Sequence, residues 1–141
     1  MINPNITIED LNKLSQNTLV SHLGIECTEI GNDYICAKMP VDDRTRQPFG
    51  LLHGGASVVL AETLGSFGAA ACIDLRKQFA VGLEINANHI KSATTGFVYG
   101  KAQILHCGKK TQIWDIKIRN EDNALICASR LTLAVLDKAE N

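Results

Sequence analysis

The sequence predicts an α+β fold: one antiparallel sheet curled around a single long apolar helix. Three observations predict it. First, a long run of apolar and small residues lies mid-chain and ends near Asp74. Second, four strand-length segments follow it, mostly separated by short turns, and short turns imply antiparallel pairing. Third, one sheet and one apolar helix can bury each other fully only if the sheet wraps the helix. With 141 residues, no internal repeat and no linker, the expectation is one domain spanning 1–141.

The elements follow in order. Thr7 and Asp10 have a weakened capping-box spacing, so a short helix is expected there, ending near Asn17. Two apolar runs between Gly24 and Met39 flank Gly-Asn-Asp at 31–33, which reads as a hairpin leading to Pro40. The polar segment VDDRTRQPFG then forms an ordered loop. The central helix begins near Gly54–Ala56. In FAVGLEINANHIKSA, Phe79, Val81, Leu83, Ile85 and Ala87 alternate with polar residues and glycine, predicting a strand packed on one face. Gly96–His106, Thr111–Arg119 and Leu125–Leu136 are the remaining strands, with turns at 108–110 and 121–123. In the third, Trp114, Ile116 and Ile118 oppose Asp115, Lys117 and Arg119.

Composition narrows the function. Fourteen basic residues against fifteen acidic give a net charge of −1. No basic stripe points to nucleic acid, and 5% aromatic residues provide no stacking platform for bases. The five cysteines are odd in number, irregularly spaced and free of C-x-x-C pairs, so neither a disulfide framework nor a zinc site is expected. Most read as small core residues in a reducing cytoplasm. The four histidines lie far apart and show no metal-ligand spacing. The polar start MINPNITIEDLNKL has no signal-peptide core. Leu51–Ile73 is long enough for a membrane span, but His53 and Glu62 would be costly in lipid, so no membrane is expected.

The central helix carries the chemistry. Ala61, Gly65, Gly68 and Cys72 form a row of small residues that lets another element approach closely. Gly55, Val59, Glu62 and Ser66 form a second row. A carboxylate on a mostly buried helix has two readings: a glutamate paired with a basic residue or backbone donors, or a reactive group. His53-Gly54-Gly55 stands where helix amides point outward and the macrodipole is positive. Without Cβ atoms, a ligand oxygen can approach those amides, which suits an oxyanion site; alternatively the glycines only make a tight turn. Gly55 and Glu62 are seven residues apart, about 10 Å along a helix. A reacting carbonyl must sit within roughly 3–3.5 Å of its attacker. Two subunits sharing each site would reconcile these distances, so a two-fold dimer is expected.

The segments MPVDDRTRQPFGLLHGGASVVLAETLGS, VGLEINANHIKSA and SRLTLAV resemble the hotdog-fold acyl-CoA thioesterases, in the branch related to phenylacetate-degradation thioesterases. The resemblance covers nearly the whole chain. It implies a homotetramer of two dimers, an acyl-CoA substrate, and no cofactor beyond the coenzyme A carried by that substrate. Glu62 matches the catalytic carboxylate, as nucleophile or general base. The Gly55 amide matches the group that polarises the carbonyl, and Gln47 and His53 match the positioning residues. Ser66 matches a polar residue of the acyl pocket. Phe67 replaces a smaller or more flexible side chain, and a one-residue insertion falls near Asp74–Phe79. Coenzyme A contacts map to Gly82, to His89, Ile90, Lys91 and Ser92, and to His106–Thr111, including Gly108, Lys109 and Lys110. The lysines would meet phosphate, or are simply solvated; His89 lines the pocket or is a core histidine; His22 has no assigned role.

The reading is therefore hydrolysis of an aromatic or medium-chain acyl-CoA. A hydratase or dehydratase on the same fold would use histidine and carboxylate for proton transfer at the acyl chain. A non-catalytic acyl-CoA sensor would bind without releasing thiol.

Overall fold

The computed structural model describes residues 1–139; residues 140 and 141 of the expected domain lie outside the described residues. Thr7 caps α1 (Ile8–Leu14) as its spacing to Asp10 predicts. The Asp10 amide donates to the Thr7 hydroxyl at 3.1 Å, and the Thr7 amide donates to the Asp10 carboxylate at 3.1 Å. The bonds from Thr7 hold the Asp10 carboxyl below its ordinary value. A further single turn, α2 (Leu19–His22), is capped by Thr18; four residues are too few to show a helical period. The hairpin β1 (Glu26–Ile30) and β2 (Tyr34–Pro40) turns at the predicted place, where the Gly31 amide donates to the Tyr34 carbonyl at 2.9 Å.

The central helix α3 runs Gly54–Ala71 and stops before Asp74. The reason is local competition: the Asp74 carboxylate accepts from the Arg76 amide at 3.1 Å and its guanidinium at 2.9 Å. Such side-chain bonds offer the backbone an alternative to another helical turn. The same bonds from Arg76 hold the Asp74 carboxyl down at about 2.

Four long strands complete the fold: β3 (Gln78–His89), β4 (Phe97–Cys107), β5 (Thr111–Asn120) and β6 (Leu125–Asp137). All six strands form one antiparallel sheet in the order β1-β2-β4-β5-β6-β3. Consecutive strands therefore do not always pair. The 90–96 connection carries the chain from β3, at one edge, to β4 beside β2. β3 pairs only with β6, leaving its other side open.

The sheet curls over α3, and Leu60 and Leu64 of the helix are fully buried with Trp114, Ile116, Ile118 and Leu131 of the strands. The small-residue row does bring the sheet close: a Cβ on Gly65 would lie 2.5 Å from Leu131 Cδ2, and one on Gly68 would overlap the Trp114 ring. Alanine would gain roughly 1 kcal/mol of helix propensity at Gly68, but overpacking a rigid indole costs about 1–3 kcal/mol. Gly68→Ala is expected to lower the urea midpoint without changing the slope. A raised midpoint would contradict the close packing.

Two expectations need correction. The predicted apolar face of β3 is broken by a bulge between Gly82 and Glu84. A bulge inserts one unpaired residue and exchanges the faces of the side chains beyond it. Ile85 and Ala87 pack on the core, whereas Phe79, Val81 and Leu83 are exposed. Among the cysteines, Cys27 and Cys127 are buried, but Cys107 is exposed at the end of β4. Burial pushes the thiols of Cys27 and Cys72 up to about 11. Among the described residues, no helix is long and apolar enough to cross a membrane.

Candidate active site

The loop before α3 is pinned at several points. The Thr45 side chain is buried, and its hydroxyl donates to the Pro40 carbonyl at 2.7 Å. Arg46 reaches across to the Thr94 carbonyl with Nε at 3.1 Å and Nη2 at 2.9 Å. The His53 amide donates to the Thr45 carbonyl, and the Leu52 amide to the Ala93 carbonyl, each at 2.8 Å. Gly50 adopts φ +83°, and its amide donates to the Gln47 carbonyl at 2.9 Å. That left-handed turn suits glycine. The Gln47 side-chain oxygen accepts from the Phe49 amide. These contacts deliver Gln47 and His53 to the start of α3 as an ordered pair.

His53 is the N-cap of α3, and the Gly55 amide donates to its Nδ1 at 2.8 Å. The amide expected to serve as oxyanion donor is therefore hydrogen-bonded within the chain. The Gly55 amide is already engaged, whereas the Gly54 amide has no acceptor among the described residues. The bond also sets the imidazole tautomer: with Nδ1 accepting, the neutral ring carries its proton on Nε2.

Gly54 faces His89, and a Cβ there would lie 2.8 Å from His89 Nε2. The absent side chain is thus what admits His89 to the helix start. Gln47, Gly54, Ser57 and His89, with Lys91 and Ser92, line one cavity of about 270 Å³. Its other walls include Ile90 and Ala93.

Glu62 lies two turns further along α3 and is exposed. It pairs with no cation among the described residues, so the buried ion-pair reading does not hold for this chain. Its carboxylate stands beside the bulge of the open edge strand: a Cβ on Gly82 would lie 3.0 Å from Glu62 Oε1. Ser66 and Phe67 are half-buried on the next turn.

The β4–β5 turn is separate from both groups. The Gly108 amide donates to the Thr111 carbonyl at 2.9 Å, and the Thr111 hydroxyl lies 3.5 Å from His106 Nε2. Gly108, Lys109 and Lys110 line a second cavity of about 620 Å³ with Cys72 and Cys107, beside the far end of α3. A hollow of about 770 Å³ on the outer side of β2, β4 and β5 holds none of the predicted residues.

One chain thus brings together Gln47, His53, Gly54 and His89, and separately Glu62 and Gly82. It does not bring the two sets to one carbon: Gly54 and Glu62 are eight residues apart, about 12 Å along the helix. Sequence reasoning did not single out Gly54, whose amide has no acceptor among the described residues, or Ser57; both line the cavity. Nothing in the letters distinguishes Ser57 from a small core residue beside Ala56 and Val58.

A six-stranded antiparallel sheet curled around one long helix, with polar groups gathered at the helix start, defines a hotdog-fold protein. Residues 49–127 match the family described as the Thioesterase superfamily, and the chain belongs to it. It is 52% identical over 131 residues to the 1,4-dihydroxy-2-naphthoyl-CoA hydrolase of Escherichia coli, covering 93% of this chain and 96% of that protein. It is 52% identical over 132 residues to the proofreading thioesterase EntH of Cronobacter turicensis, covering 93% and 95%. The crystal structure of thioesterase HI1161 from Haemophilus influenzae superposes with a TM-score of 0.94 at 48% identity, covering 99% of this chain and 97% of that one. The protein is a thioester hydrolase of this fold.

Proposed function

We propose that the protein hydrolyses an aromatic or medium-chain acyl-CoA to the free acid and coenzyme A, with each active site shared between two subunits. The observation that carries this reading is Glu62: an exposed carboxylate on a mostly buried or half-buried helix, beside the open edge strand. The exposed Phe79, Val81 and Leu83 lie on that strand, and an unpaired edge with apolar side chains is a template for a second chain. Pairing there as a two-fold dimer would set Glu62 of the partner subunit against the helix start of the first. Two such dimers would make the tetramer that the resemblance implies.

In this arrangement the thioester oxygen takes the Gly54 amide in place of the expected Gly55 amide. Gln47 and the Nε2–H of His53 hold the thioester and attacking group. Glu62 then attacks the carbonyl carbon, or removes a proton from the water that does. In the first route coenzyme A leaves as thiolate and water cleaves the resulting anhydride. In the second the tetrahedral adduct collapses directly, and the proton goes to the departing sulfur. Both routes consume one water and release one thiol. The acyl group lies toward Ser66 and Phe67. The coenzyme runs along Gly82 and 89–92, with its phosphates near Lys109 and Lys110, where ammonium groups serve as point charges.

Thiol release from benzoyl-CoA and octanoyl-CoA tests the reading. The expected result is stoichiometric free thiol and carboxylic acid. Hydration of crotonyl-CoA without thiol release would instead support the hydratase, and binding without either product would support the sensor.

A further inference from the structure

Among the described residues, five polar side chains are buried: Ser15, Thr45, Ser57, Gln112 and Ser129. Four have hydrogen-bond partners. Ser15 donates to the Leu11 carbonyl at 2.9 Å, Thr45 to the Pro40 carbonyl at 2.7 Å, and Ser129 to the Asn86 carbonyl at 2.7 Å. Gln112 accepts from the Trp114 indole at 3.1 Å and donates toward the Ala69 carbonyl at 3.5 Å. Ser57 is only 1% exposed, yet its hydroxyl has no partner among the described residues. It does not turn back to the carbonyl one helical turn before it, as Ser15 does. Its oxygen is not sealed off in the interior either; Ser57 lines the 270 Å³ cavity at the helix start.

With no partner among the described residues, the hydroxyl opens onto this cavity. Alanine would favour the helix more strongly, so the fold alone supplies no reason for a serine here. Its position suits a ligand. Residues three apart share a helix face, and a helical side chain leans toward the N-terminus. Ser57 thus lies on the face of Gly54, leaning toward the helix-start amide that has no acceptor among the described residues, and both border the same cavity.

We propose that the Ser57 hydroxyl is the second donor to the thioester oxygen, acting with the Gly54 amide as negative charge develops there. The inference rests on the thioesterase reading of this site. Two donors converging on one oxygen stabilise the tetrahedral adduct more than the planar thioester, provided they are aimed at where the oxyanion will lie. Ser57 makes no other bond to reorganise. The hydroxyl hydrogen is donated and not transferred, so no proton changes hands at this residue.

The test is a kinetic and thermal comparison of Ser57→Ala and Ser57→Thr in the full-length protein, with benzoyl-CoA as substrate. Ser57→Ala is expected to lower kcat by about 100-fold or more, with KM little changed and Tm equal to or above the parent's. Ser57→Thr retains the hydroxyl and should recover most of kcat. Unchanged kcat in Ser57→Ala would overturn the proposal. So would a rise in KM alone, which would assign Ser57 to ground-state binding, or a lowered Tm, which would assign it to the fold. Glu62→Gln, measured in parallel, separates the two levels. If that variant is inactive and Ser57→Ala is not impaired, only the second donor is wrong. If Glu62→Gln is fully active, the reading of the site itself fails.

Discussion

Glu62→Gln should give a folded protein of unchanged oligomeric state whose thiol release is about 10²–10⁴-fold slower than that of the parent. The substitution keeps the side chain's shape and removes its charge. An amide can neither attack the carbonyl effectively nor take a proton from water. The fold should tolerate the change, because Glu62 is exposed in the single chain and pairs with no cation among the described residues. Surface substitutions away from caps and buried networks usually change stability by less than about 0.5 kcal/mol. Circular dichroism, size-exclusion chromatography and a thiol-release assay on the same preparation separate the effects. Activity within a few-fold of the parent would remove Glu62 from the mechanism.

Much of the architecture was legible because single patterns carry it. The run of small and apolar residues specifies α3, and Gly65 and Gly68 stand where Leu131 and Trp114 press on the helix. Alternation specifies β5, whose Trp114, Ile116 and Ile118 are fully buried. Long-range pairing was less legible. Nothing local to 90–96 says that the chain leaves one edge and returns beside β2. The bulge between Gly82 and Glu84 was hidden because alternation continues unbroken in the letters while the faces exchange.

The candidate site divides in the same way. Gln47, His53 and Glu62 stand out as polar residues in an apolar stretch, and their residue types suggest chemistry. Which amide is free depends on where the His53 ring turns. The ring accepts from Gly55 at 2.8 Å and leaves Gly54 open, a matter of one torsion that spacing cannot resolve. Ser57 is distinguished by a missing partner, which only the packed structure reveals. The 12 Å estimate between Gly54 and Glu62, by contrast, follows from helix geometry alone and already argues for two chains per site.

That division between chains makes a strong prediction for mixed oligomers. One variant carries Glu62→Gln. The other carries Gln47→Ala with His53→Ala and keeps Glu62. Each alone should be nearly inactive, since every site in it lacks one half of the machinery. In a two-fold heterodimer one site combines the intact helix start of the first chain with the intact carboxylate of the second, and the other site has neither. The measurement is thiol release by hetero-oligomers isolated through two different affinity tags after co-expression. Recovery of up to about half of the parent activity is the result predicted for a shared site. Activity no higher than that of the two inactive variants, in hetero-oligomers shown to be assembled, would contradict it and place Gln47, His53 and Glu62 at one carbon within one chain.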